Sequence, residues 1–160
     1  MLAVDGTKDF LKANEDASVS VIVDAVANQQ MASALKTHDR IQIFIGAAIT
    51  SNFFKNKEIA KYSPVIQAIT QGNPIIERHL IGAVEAHCAS KPKTFPVMIK
   101  QLFDEDALEE EVILHWAYDG RTEYTLDIVD EDTRASLRAE SEPVINWLQE
   151  DDSSDESDGD

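Results

Sequence analysis

Cysteine is all but missing from this chain of 160 residues: Cys88 stands alone. One thiol cannot build an internal disulfide framework, and it fits a reducing compartment. Glycine (6) and proline (5) are sparse too. No GxxxxGK(S/T) or GxGxxG pattern occurs, so no backbone cradle for phosphates or for a dinucleotide cofactor is in sight. No apolar run approaches the roughly 18 residues of a membrane-spanning helix. The opening MLAVDGTKDFL lacks the basic flank and apolar core of a secretory signal, which makes the cytosol the expected location.

The most informative shortage is of bases near the C-terminus. Residues 1–103 carry 11 Lys/Arg against 9 Asp/Glu, whereas residues 104–160 carry 3 against 21. Residues 1–103 therefore carry +2 and residues 104–160 carry −18, which sum to the net charge of −16. Such a segment repels nucleic acid and attracts basic protein, so no direct nucleic-acid contact is expected.

What is present is acid coupled to aromatic residues, twice. Residues 104–118 read DEDALEEEVILHWAY, with Asp104, Glu105, Asp106, Glu109, Glu110 and Glu111 ahead of Trp116. Leu108, Val112 and Trp116 are four apart and share one face of a helix expected over 106–118. The acids then start that helix, where its partial positive charge favours them. Residues 140–152 read ESEPVINWLQEDD and repeat the pairing with Glu142, Trp147, Glu150, Asp151 and Asp152.

Taken in order, residues 1–17 look poorly defined, with a short helical piece at 8–13. Ser18 can cap a helix carrying Val19, Ile22, Val23 and Val26 at helical spacing; the β-branched run Val19–Val23 would also suit a strand. The Ala/Gln-rich continuation favours helix. Asp39 reads as a cap before the stripe Ile41, Phe44, Ile45, Ala48. Pro64 can open a short helix stopped by Gly72, and Asn73-Pro74 is a strong start signal for the next. Thr94 precedes Phe95, Met98, Ile99, Leu102 and Phe103. A last helix over 131–149 contains Pro143, which predicts a kink or a fresh start capped by Ser141. Residues 150–160 hold seven acids and no base or apolar residue, which predicts a disordered tail. The fold class is all-α: antiparallel helical hairpins stacked into a HEAT-like α-solenoid over 18–149. No strong repeat period supports it; the order of elements does.

No catalytic constellation emerges. His79 and His87 lie eight apart on one predicted helix, too far to chelate one ion, and Cys88 beside His87 points elsewhere. Asp104, Glu105 and Asp106 read as a solvated acidic cap rather than a cation site. No metal, cofactor or catalytic residue is expected.

The segments LFDEDALEEEVILHWAY (102–118) and EPVINWLQEDD (142–152) resemble the two aromatic-acidic boxes of the C-terminal domain of eukaryotic translation initiation factor 5, in spacing as well as content. IIERHLIGAVEAHC (75–88) is similar to that family's preceding helix, and KNKEIAKYSPVIQAI (55–69) matches more loosely. The resemblance implies a HEAT-type adaptor, monomeric, that helps assemble the translation pre-initiation complex. It implies that the boxes bind lysine-rich blocks in the tail of the initiation factor 2 beta subunit, and that other faces engage initiation factors 3 and 1. Lys55, Lys57, Lys61, Lys91, Lys93 and Lys100 are candidates for such a second partner. The tryptophans either anchor the helices in the core or offer their faces to cations, and the apolar stripe favours the first. The family's GTPase-activating N-terminal domain has no counterpart in this sequence, so no such activity is expected of it. The related exchange-factor subunit, initiation factor 2B epsilon, and inhibitory mimics of initiation factor 5 end in similar boxes and are the alternatives. In the tail, Ser153 and Ser157 each have an acid three residues on, the pattern of an acidophilic kinase substrate.

Overall fold

The structure, a computed structural model, describes the backbone of residues 2–158 and the side chains of 2–150. Its described residues form nine helices and no strand: α1 (Leu2–Ala13), α2 (Val19–Ala32), α3 (Asp39–Ala48), α4 (Glu58–Thr70), α5 (Pro74–Cys88), α6 (Thr94–Asp104), α7 (Glu110–Asp119), α8 (Glu131–Glu140) and α9 (Glu142–Asp158). The odd-numbered helices α1, α3, α5 and α7 pack in series as one row, and α2, α4, α6 and α8 form the second. Each hairpin thus contributes one helix to each layer, the arrangement of a HEAT-like solenoid. α9 closes the stack against α7 and α8. The core between the rows is built on Phe44, Phe95, Ile41, Ile45, Ile66, Leu80, Met98 and Leu102, all at 1% exposure or less.

Local chemistry accounts for the starts of α2, α5 and α8. Ser18 is extended and its Oγ accepts the Val21 N–H at 3.4 Å. Asn73 does the same for Ile75 at 2.9 Å, with Pro74 in the first turn. Asp130 Oδ1 accepts the Thr133 N–H at 2.8 Å and caps α8, and that bond holds the Asp130 carboxyl below the ordinary range.

Several expected boundaries move. The N-terminal segment is a full helix, α1, because Thr7 counts as apolar once its hydroxyl donates to the Ala3 carbonyl at 2.8 Å; Ala3 and Thr7 are both fully buried. α4 does not open at Pro64 but six residues earlier, with Pro64 inside it. Proline cannot donate to the carbonyl four residues back; the Ser63 hydroxyl donates to that Ala60 oxygen instead, at 3.3 Å. Asp39 and Thr94 are the first residues of their helices rather than caps. At Pro143 the chain takes the fresh start rather than the kink: α8 ends at Glu140 and α9 begins at Glu142, but the hydroxyl of buried Ser141 donates back to Leu137 O at 2.7 Å instead of capping α9. α9 is helical to Asp158, past the tail boundary expected at 150. The side chains of 151–160 lie outside the described residues.

The connection 120–130 is pressed against α5. Val129 is fully buried, and a Cβ on Gly82 would collide with the Tyr124 carbonyl oxygen. Backbone cannot swing aside as a side chain can, so Gly82→Ala should push this connection outward. A loss of about 1–3 kcal/mol in urea denaturation is expected.

Candidate functional site

The two acidic-aromatic segments meet where α6, α7 and α9 converge, although not as one acidic helix start. α6 ends at Asp104, Glu105 is its cap, and Asp106 takes a left-handed conformation at φ +61. The Asp106 N–H donates to Phe103 O at 3.1 Å and the Ala107 N–H to Leu102 O at 2.8 Å. This is a Schellman stop with aspartate where glycine is usual. The chain therefore turns sharply between the acids, and α7 begins only at Glu110. Ala107 and Leu108 plug the turn into the core.

A residue from outside the boxes holds the new helix in place. Glu77 on α5 is 2% exposed, and its Oε1 accepts the Glu109 N–H at 2.7 Å. A carboxylate thus satisfies one of the orphan donors at the start of α7. Burial pushes the Glu77 carboxyl up, and the hydrogen bond opposes that.

The acids around this turn are placed unequally. Asp106, Glu109 and Glu111 are exposed and Glu110 is half-buried. Asp104 is exposed but paired with Lys100 at 2.9 Å. Glu105 is half-buried and faces the Ser63 hydroxyl at 3.5 Å. Glu142 pairs with Arg138 at 2.6 Å, and Glu150 is exposed. Asp151, Asp152, Ser153 and Ser157 have side chains outside the described residues.

The two tryptophans are both half-buried, but the cations beside them differ. Trp116 faces inward, 4.8 Å from Phe95 and with the Arg134 guanidinium 4.0 Å from its ring centroid. Arg134 Nε in turn lies 3.0 Å from Glu85 Oε2, and both side chains are nearly fully buried. Burial drives the Glu85 carboxyl up and the Arg134 guanidinium down, and the ion pair opposes both shifts. Arg134 also donates to the Trp116 carbonyl, and Arg138 Nε to the Ala117 carbonyl at 2.9 Å. Two cations from α8 thereby occupy the negative end of α7. Trp147, half-buried like Trp116, is edge-on to Phe103 at 5.7 Å, with the exposed Lys100 Nζ 4.9 Å from its ring centroid. Gln149 donates to the Tyr118 hydroxyl on α7. α9 therefore bridges the last turn of α6 and the end of α7, so the second box touches the first at Phe103 and at Tyr118.

The six candidate lysines do not form one patch. Lys57 borders the acidic surface, sharing a groove with Gln101, Asp104 and Glu105. Lys61 lies 5.1 Å from the Tyr62 ring centroid. Lys91 and Lys93 are exposed at the α5–α6 turn, and Lys55 is exposed ahead of α4. Lys100 belongs to the acidic surface itself. Sequence reasoning missed Glu77, Glu85, Phe103, Arg134 and Arg138. A usable signal was the spacing of four between Arg134 and Arg138 in a helix poor in apolar residues.

The histidines do other work. His87 Nε2 is 2.9 Å from Ile49 O, and its ring meets Phe53 edge-on. His79 stacks on His38 at 4.1 Å and meets Tyr124 edge-on.

Comparison with known proteins agrees with this architecture. Residues 76–158 match the W2 family, described as eIF4-gamma/eIF5/eIF2-epsilon. Eukaryotic translation initiation factor 5 of Caenorhabditis elegans is 26% identical over 146 residues, which cover 88% of this chain and 33% of that protein. The Pongo abelii protein of the same name is 27% identical over 149 residues, covering 89% of this chain and 32% of it. The chain thus spans about a third of the length of these relatives. The solved C-terminal domain of translation initiation factor 5 at low pH superposes with a TM-score of 0.75 at 18% identity, covering 100% of this chain and 98% of that one.

Two measurements probe the scaffold of the site. Glu77→Ala should cost about 1–2 kcal/mol, as loss of a helix cap does, and should speed hydrogen exchange at the Glu109 amide. His79 is held below the ordinary imidazole value by burial first and then by the charge of His38, against Asp39 and Glu123. The unfolded chain then takes up the proton first, so the stability from this group is present above about pH 6.5 and is lost on acidification. Melting temperature should fall between pH 7.5 and 5.5, and His79→Asn should flatten that fall.

Proposed function

The chain belongs to the W2 family of eIF4-gamma, eIF5 and eIF2-epsilon, and on that premise we propose that it is a protein-binding adaptor whose acidic-aromatic end docks lysine-rich segments. Its family is one of translation initiation factors. The partner we assign to this end is the lysine-rich tail of the initiation factor 2 beta subunit, with initiation factors 3 and 1 on other faces.

One observation carries this reading. Trp147 of the second box packs on Phe103 beside Asp104, so a single extended segment can touch both boxes. The charge supports it. All three bases of residues 104–150 are engaged within the fold: Arg134 and Arg138 as described, and Arg121 through Val129 O at 2.8 Å. The exposed carboxylates Asp106, Glu109, Glu111 and Glu150 face water and are in no salt bridge among the described residues. Lysine ammonium groups supply the missing countercharge through charge-assisted hydrogen bonds. Phosphate on Ser153 or Ser157 would add about −1.5 to −2 charge per site and strengthen the same attraction.

Glu109 and Glu111 are exposed and can be reversed without disturbing the core. Glu109→Lys with Glu111→Lys should reduce binding of a lysine-block peptide at least tenfold while leaving the far-ultraviolet circular dichroism unchanged. Binding by the unaltered chain should weaken steeply between 50 and 300 mM salt, as roughly expected for exposed charges. Unchanged affinity in the reversed chain would remove the assignment. The exchange-factor alternative predicts accelerated GDP release from initiation factor 2, which an adaptor does not produce.

A further inference from the structure

The docking surface already holds a lysine, and it is the protein's own. Lys100 Nζ lies 4.9 Å from the centroid of the Trp147 ring and 2.9 Å from Asp104 Oδ2. Phe103 supports the same ring from the side at 5.7 Å, edge to face. An ammonium between an indole face and a carboxylate is the arrangement that an incoming lysine would seek. We propose that Lys100 is a tethered competitor: it occupies the lysine subsite formed by Trp147, Phe103 and Asp104, and a partner's lysine must displace it to bind there. This rests on the docking reading given above and identifies one subsite within it.

Three observations favour a displaceable occupant over a structural brace. The Lys100 and Asp104 side chains are each 48% exposed. Ion pairs this open, one helical turn apart, are weakly held and screened by salt. The contrast with Trp116 is instructive. Its cation, Arg134, is buried, anchored by Glu85 and bonded to the Trp116 carbonyl, so nothing from solution can replace it. Lys100 has no second anchor of that kind, and its flexible four-carbon stem lets the ammonium swing into water. Yet its position on the neighbouring helix keeps it at high local concentration over the ring. Such an occupant shields the indole and the carboxylate when no partner is present and lowers affinity for any single lysine, so that occupancy favours segments carrying several.

The test compares Lys100→Gln with Lys8→Gln, which removes the same charge from the exposed face of α1. Binding of a fluorescent lysine-block peptide is measured for both and for the unaltered chain, and the Trp147 indole N–H is followed by NMR during titration. Lys100→Gln should bind about two- to fivefold tighter, the scale of an exposed cation–π contact and ion pair together. Lys8→Gln should stay near the unaltered chain, and the Trp147 signal should shift further on saturation in the Lys100→Gln chain. Equal gains in the two variants would mean general charge alone and would overturn the competitor role while leaving docking intact. Weaker binding by Lys100→Gln would overturn it too, since Lys100 would then be supporting the surface. Absence of binding by the unaltered chain at low salt would defeat the docking reading and this one with it.

Discussion

A carboxylate and a guanidinium withdrawn from water tie three helices together. Glu85 comes from α5, Arg134 from α8, and the Trp116 ring of α7 lies against the guanidinium. Neither charge could be buried alone. Loss of one partner from such a pair costs about 3–5 kcal/mol, because the other is left stranded. The pair therefore fixes α8 relative to α5, and Arg134 and Arg138 then hold the C-terminal end of α7 by its carbonyls. α9 follows α8 after one residue, Ser141, and is delivered to the surface where Trp147 meets Phe103. The meeting of the two boxes follows from how Arg134 and Arg138 are placed.

The same economy explains the surface charge. A segment with 3 bases and 21 acids would be expected to neutralise some of its acids locally. Its bases mostly go elsewhere: to backbone carbonyls, to Glu85, and to one exposed acid, Glu142. Helix ends consume the positive charge, because a row of unsatisfied carbonyls competes well for a guanidinium. The exposed carboxylates of Asp106, Glu109, Glu111 and Glu150 are in no salt bridge among the described residues, whereas Asp104 pairs with Lys100 and Glu142 with Arg138. Strong net charge of one sign also opposes compaction, so the domain bears a standing electrostatic cost that added countercharge would relieve.

Much of this was readable from residues alone. The all-helical class followed from apolar spacing, and starts such as Ser18 and Asn73 followed from side chains that accept orphan amides. The acidic-aromatic composition of the site was plain, and so was its likeness to a known domain. Other features were illegible for definite reasons. Pro64 looked like a helix start because the Ser63 hydroxyl that supports it mid-helix acts only in three dimensions. Asp106 did not look like a stop, since aspartate rarely takes the left-handed position that glycine prefers. Thr7 hid a buried helix face because a polar side chain passes as apolar once its hydroxyl bonds the preceding turn.

The tryptophans mark the division most sharply. Composition, apolar periodicity and the count of acids and bases along the chain were enough to specify helices, a strongly negative end and two aromatic-acidic segments, since these depend only on neighbours within a few residues. The same local pattern surrounds Trp116 and Trp147 and both rings are half-buried, yet one lies against a buried arginine and the other beneath an exposed lysine. That difference arises from contacts between residues far apart in the chain, Glu85 with Arg134 and Phe103 with Trp147, whose geometry comes into being only when the rows of helices pack.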